Sequence, residues 1–147
     1  MQSLQRLLVV EDDVTVARAL SRTLARAGFS VACARSCAAA RELAQSFDFA
    51  ILDLDLPDGN GVDLARALLT SGKVPVVLFF TSCTDGALLA RARRMGSVIL
   101  KSLGSSPVLA WLASASEAAD DPQSGTVPKA RSYRASSSSA LRSSRAR

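Results

Sequence analysis

Apolar runs and amphipathic stretches alternate along the first 118 residues. Leu7 to Val10, Phe49 to Leu52 and Val74 to Phe80 are almost wholly apolar, the pattern of strands buried on both faces of a parallel sheet. Between them the spacing turns helical. In the run from Val14 to Ala27, Val16, Leu20, Leu24 and Ala27 fall on one stripe and Arg18, Arg22 and Arg26 on another. That predicts an amphipathic helix with a solvated arginine face, closed by Gly28. Phe29 to Ala34 predicts a strand, and Ser36 to Gln45 an alanine-rich helix with Ser36 as its N-cap. After the turn Pro57-Asp58-Gly59-Asn60-Gly61, Val62 to Leu69 is helical and ends near Gly72. Gly86 to Met95 is a further helix, Val98 to Leu100 a strand, and Val108 to Ala115 a last helix that carries Trp111, a core or interface residue.

Five strands each followed by a helix make a (βα)5 chain. Right-handed crossovers then predict an α/β fold, a doubly wound five-stranded parallel sheet with helices on both faces.

Charge divides the chain in two. From Asp120 to Arg147 there are six basic and two acidic residues, a net +4 of the chain's +5, together with eight serines and little apolar pattern. Such a segment has too little to bury to offset the entropy of ordering. The expected organisation is therefore one domain over 1–118 and a disordered Ser/Arg-rich basic tail over 119–147. No run approaches membrane-spanning length and none reads as a signal peptide, which predicts a cytoplasmic protein without membrane contact. The cysteines Cys33, Cys37 and Cys83 lie in or beside apolar segments and read as reduced core or near-core thiols. With no histidine in the chain, a zinc site has no support.

The chemistry sits at strand ends. Glu11-Asp12-Asp13 follows the first strand and Asp53-Leu54-Asp55 the third, on the carboxyl edge where open α/β sheets bind ligands. Adjacent strands would gather three or four carboxylates at one point. Like charges in a partly desolvated site raise one another's pKa, and a hard divalent cation with oxygen ligands resolves the conflict. Plainer readings exist for each piece. The acidic triplet also suits a helix first turn, Asp53 and Asp55 a turn before proline, Thr81 a strand end, and Lys101 the surface.

Taken together, these residues resemble the receiver domains of bacterial two-component response regulators, over residues 5 to about 115. The most specific parts are Val9-Val10-Glu11-Asp12-Asp13, Asp53 four residues before Pro57 in a segment closing at Gly61, Thr81-Ser82 after the fourth strand, and Lys101 after the fifth. The resemblance implies a flavodoxin-like strand order of 2-1-3-4-5. It implies that Asp53 accepts a phosphoryl group from a sensor histidine kinase or phosphotransfer protein. It further implies that Asp12, Asp53 and the backbone carbonyl of Asp55 hold Mg²⁺ with Glu11 in the outer shell, that Thr81 hydrogen-bonds the phosphoryl oxygens, and that Lys101 pairs with them. A dianionic aspartyl phosphate demands a donor, and a Thr81 hydroxyl moved a few ångströms would turn a covalent event into a loop movement.

The chain departs from the family pattern in its second half. Thr81 stands six residues beyond Pro75 instead of five, Ser102 follows Lys101 where proline is usual, and Val98 occupies a position often aromatic. The expected function is a single-domain response regulator of a phosphorelay that signals by contact with a downstream protein. It is not an enzyme beyond its own phosphorylation and dephosphorylation. The alternative is a degenerate receiver-like interaction module that works without phosphorylation. Asp53-Leu54-Asp55 also resembles the Asp-x-Asp motif of haloacid-dehalogenase-type phosphatases, but that reading leaves Glu11-Asp12-Asp13 without a role. No helix-turn-helix pattern or aromatic interleaving accompanies the basic tail, so sequence-specific nucleic acid is not an expected partner.

Overall fold

The computed structural model of the protein describes residues 3–120, without the side chains of 118–120. In chain order its elements are β1 (Arg6–Val10), α1 (Val14–Arg26), β2 (Ser30–Ala34), α2 (Cys37–Glu42), β3 (Phe49–Leu52), β4 (Asp55–Leu56), β5 (Gly59–Asn60), α3 (Gly61–Thr70), β6 (Val77–Thr81), α4 (Gly86–Arg93), β7 (Ser97–Leu100) and α5 (Ser106–Asp120). Five parallel strands form the sheet in the order β2-β1-β3-β6-β7, while β4 and β5 form a separate antiparallel hairpin. This is the expected doubly wound (βα)5 order. Of the expected basic tail over 119–147, Ala119 and Asp120 instead close α5, which runs on past the sequence-read end at Ala115, and the rest lies outside the described residues.

The period-two alternation of each central strand sorts its side chains into two cores. Leu7, Val9, Phe49, Ile51, Leu78 and Phe80 face one way and pack on Leu20 and Leu24 of α1 and Trp111 and Leu112 of α5. Leu8, Val10, Ala50, Leu52, Val77 and Phe79 face the other way, onto Ala40 of α2, Leu64 and Leu68 of α3 and Ala92 of α4. Each fully buried Leu or Phe contributes about 1.5–3 kcal/mol over exposure, so these two layers dominate the favourable side of folding. Phe49 meets the Trp111 ring edge-on at a centroid distance of 5.9 Å, which places Trp111 in the core.

Element ends differ from the sequence reading for local reasons. On α1 the buried stripe is Ala17, Leu20 and Leu24. Ala27 is exposed past the helix end, where Gly28 takes φ +102°. Helix α2 stops at Glu42 rather than Gln45. There the Lys73 ammonium donates to the carbonyls of Arg41 and Leu43, satisfying acceptors that a longer helix would have used itself. Strand β6 begins at Val77, because Pro75 has no N–H to give a ladder, and it continues to Thr81, which pairs with Leu100. Cys37 and Cys83 are buried, but Cys33 is exposed on edge strand β2, so the near-core reading fails for that thiol.

Candidate functional site at the carboxyl edge of the sheet

The carboxyl ends of β1, β3, β6 and β7 converge because the strands are parallel and in register, with Val10 opposite Leu52, Leu52 opposite Phe79, and Thr81 opposite Leu100. The residues just past those positions are Glu11, Asp53 and Lys101, with Thr81 itself closing β6. Glu11, Asp53 and Thr81 are buried, whereas Asp12 and Asp55 are exposed.

The acidic triplet divides its work. Asp13 caps α1, its Oδ1 accepting from the N–H groups of Thr15 at 2.9 Å and Val16 at 3.1 Å, so the plain helix-start reading holds for that residue. Glu11 and Asp12 turn instead towards Asp53. Carboxylate oxygens of Glu11, Asp12 and Asp53 all lie within 4.8 Å of one another. An all-oxygen set of this kind suits a hard divalent cation such as Mg²⁺. Asp55 meets Asp53 through its backbone N–H, which donates to Asp53 Oδ1 at 3.4 Å.

The Asp53 carboxylate accepts two further hydrogen bonds, both from side-chain donors. The Thr81 hydroxyl donates to its Oδ1 at 2.7 Å and the Lys101 ammonium to its Oδ2 at 2.9 Å. Lys101 also pairs with Glu11 Oε1 at 2.6 Å, and the Asp13 N–H donates to Glu11 Oε2 at 3.1 Å. Burial pushes the Glu11 carboxyl above its usual range, against the opposing pull of Lys101 and of the Asp13 N–H. Burial alone would lower the Lys101 ammonium, yet its bonds to Glu11 and Asp53 outweigh that and hold it above the ordinary lysine value. In the unmodified site the Thr81 hydroxyl reaches Asp53. Ending β6 beside β3 already places it there, and it also accepts the Cys83 N–H at 3.1 Å.

Two supports escaped sequence reasoning. The backbone of Gly61 passes so close to Asp53 that a Cβ there would sit 2.2 Å from the Asp53 carbonyl oxygen. Asp58 reaches across to α2 and accepts the Cys37 and Ala38 N–H groups at 2.8 and 2.9 Å. The run Pro57-Asp58-Gly59 signals a hairpin turn, but nothing local says which helix its aspartate will meet.

The response regulator receiver domain family matches residues 7–110. The chain belongs to that family. Receiver domains are signalling domains rather than enzymes in the ordinary sense. The protein is 40% identical over 79 residues to the probable transcriptional regulatory protein SilR of Salmonella typhimurium, a match covering 52% of this chain and 35% of SilR. It is 40% identical over 85 residues to the DNA-binding response regulator MtrA of Mycobacterium tuberculosis, covering 55% of this chain and 36% of MtrA. Among solved structures, the non-phosphorylated receiver domain of HemR from Leptospira biflexa is similar at a TM-score of 0.66 and 32% identity, covering 74% of this chain and 90% of that one.

The chain thus spans about a third of the length of these curated relatives. They correct one expectation from the sequence, the exclusion of nucleic acid and the restriction to protein partners. SilR is a transcriptional regulator and MtrA a DNA-binding one by name. The exclusion rested on the absence of DNA-reading patterns, and a receiver shows none whatever its protein binds. Among the described residues, no helix is long and apolar enough to cross a membrane.

Proposed function

We propose that this receiver accepts a phosphoryl group on Asp53 from a phosphohistidine donor and passes the signal on through the β6–β7 side of the site. The observation that carries this reading is the donor arrangement around Asp53, with Thr81 on one carboxylate oxygen and Lys101 on the other. In the transfer, an Asp53 oxygen forms the new O–P bond as the donor's P–N bond breaks, and the imidazole nitrogen keeps the bonding electron pair. Phosphoryl transfer needs positioning and charge neutralisation more than covalent help. Lys101 neutralises charge on the incoming oxygens, and Thr81 offers them its hydroxyl.

Asp12, Asp53 and the Asp55 carbonyl would hold Mg²⁺ with Glu11 behind them, and the bound ion would supply further charge neutralisation on the transferring group. Asp55 is the chemical competitor of Asp53 as acceptor, but it is exposed and lacks the two side-chain donors. The relatives' names favour a transcriptional output for the signal.

The test is labelling of the full chain by a small acyl phosphate with Mg²⁺, read by intact mass. Wild type should gain one phosphoryl group and Asp53→Asn none, with reductive trapping placing the adduct on Asp53. An adduct on Asp55, or labelling that survives Asp53→Asn, would overturn the assignment.

A further inference from the structure

Helix α2 draws its N-terminal support from the phosphoacceptor loop. Its first three N–H groups are all taken by side chains. Ser36 Oγ accepts from Ala39 at 3.0 Å, and the two Asp58 oxygens accept from Cys37 and Ala38. Ser36 is an ordinary local cap. Asp58 is not local, because it lies at the tip of the β4–β5 hairpin, five residues beyond Asp53.

That hairpin is held at its other points as well. The Gly61 N–H donates to the Leu54 carbonyl at 2.9 Å, and Asn60 caps α3 by accepting the Asp63 N–H at 2.9 Å. At the tip, a Cβ on Gly59 would stand 3.2 Å from Cys37 Sγ, so hairpin and helix are already in near contact. The base of the hairpin is thereby fixed by its own backbone and by α3. Leu56 is buried in the core and the Cys37 thiol donates weakly to the Asn60 carbonyl at 3.9 Å, but the strong tie at the tip is one exposed carboxylate, through two charge-assisted hydrogen bonds. A loop held at the base and free at the tip can tilt, and Asp55 lies on the arm that would tilt.

We propose that Asp58 is a positioning residue for the phosphoacceptor site: by tying the hairpin tip to α2 it fixes the backbone of Asp55, and with it the N–H that meets Asp53. This rests on the reading of Asp53 as acceptor and of the Asp55 carbonyl as a Mg²⁺ ligand. Asp58 itself touches neither the ion nor the reacting atoms.

The experiment compares two ways of uncapping α2 in the full chain. Ser36→Ala removes a cap and leaves the loop tied, whereas Asp58→Ala removes a cap and frees the loop. Mg²⁺ affinity is read by calorimetry, labelling rate by intact mass with a small acyl phosphate, and melting temperature alongside. Both variants should melt lower than wild type. Asp58→Ala alone should bind Mg²⁺ about tenfold more weakly and label correspondingly slowly, the size of loss seen when a support behind a metal ligand is removed.

Asp58→Asn keeps one acceptor oxygen and should fall between, and it decides the matter if Asp58→Ala does not fold. If the Asp58 variants keep the affinity and rate of Ser36→Ala, Asp58 is only a helix cap and the proposal is overturned. A wild type that takes up neither Mg²⁺ nor phosphoryl overturns the parent reading, and this one with it.

Discussion

Lys101 Nζ stands 2.6 Å from Glu11 Oε1 and 2.9 Å from Asp53 Oδ2. One cation from the end of β7 thereby spans two carboxylates buried at the ends of β1 and β3. Two adjacent anions in so dry a place would repel each other strongly, and desolvation of each would add to the cost. Lys101 supplies a counter-charge from the protein itself. The same ammonium lies where it can meet a new anion on Asp53, so one residue serves the resting site and the proposed modified one.

Replacing that ammonium should leave the carboxylates opposed. Lys101→Met is expected to cost about 1–3 kcal/mol near neutral pH, less than a fully buried pair because the lysine is partly solvated. The pH profiles should diverge on both sides. A lysine raised above 10.5 in the fold gives stability that is complete below 10.5 and fades as pH rises through the folded value, so wild type should lose more than the variant in that alkaline window. A carboxyl raised above 4.5, as at Glu11, costs stability when ionised and recovers it as pH falls from the folded value towards 4.5. Without Lys101 that recovery should be larger. Urea unfolding across pH measures both, and parallel profiles would refute the coupling.

Thr81 offers a narrower test. Its hydroxyl donates to Asp53 and accepts from Cys83, so Thr81→Ala strips one donor from a buried carboxylate and orphans a buried N–H. The expected loss is about 1–3 kcal/mol. Thr81→Ser keeps the hydroxyl and should recover most of it, apart from the missing methyl. Equal stabilities for the two variants would show that the hydroxyl adds nothing net to stability and that any loss comes from the methyl.

The sheet was legible because the apolar strand runs leave little freedom. Leu7 to Val10 and Phe49 to Leu52 are buried on both faces, and residues immediately beyond such runs must emerge at one edge. Glu11, Asp53 and Lys101 could therefore be placed from sequence order alone. The tip of the loop could not. Which N–H groups Asp58 meets depends on where α2 lies across the sheet, a tertiary relation with a sequence separation of about twenty residues. Gly61 was read as part of a turn, but its requirement is a close approach to the Asp53 carbonyl, which a turn pattern does not reveal. Cys33 misled because its segment is apolar, whereas on an edge strand alternate positions face solvent.

The three thiols should react in an order set by that geometry. Cys37 is buried and its pKa is pushed up to about 11, first by burial and then by the neighbouring Asp58 carboxylate. The thiolate is the nucleophile, so little of Cys37 is reactive at mildly alkaline pH. Cys33 is exposed. Iodoacetamide on native protein should label Cys33 first and leave Cys37 and Cys83 until denaturant is added, as peptide mass analysis would show. Early labelling of Cys37 would mean that α2 opens readily at its N-terminal end.

Removing an exposed acid at the cluster should have opposite effects with and without Mg²⁺. Asp12 contributes a carboxylate oxygen within 4.8 Å of those of Glu11 and Asp53, and among the described residues no ion pair to it is recorded. In the absence of a divalent ion it adds repulsion to two buried anions that share a single lysine. Asp12→Ala should therefore melt at the same temperature as wild type or slightly higher in chelator. With Asp12 one of the proposed direct ligands beside Asp53 and the Asp55 carbonyl, loss of its oxygen should weaken Mg²⁺ binding by at least about tenfold. By mass action, the rise in melting temperature that Mg²⁺ gives wild type should then shrink or vanish in the variant. Melting curves of both proteins in chelator and across a Mg²⁺ series separate the two effects. A variant that melts lower in chelator yet gains as much from Mg²⁺ as wild type would place Asp12 among the structural residues and remove it from the ion's ligands.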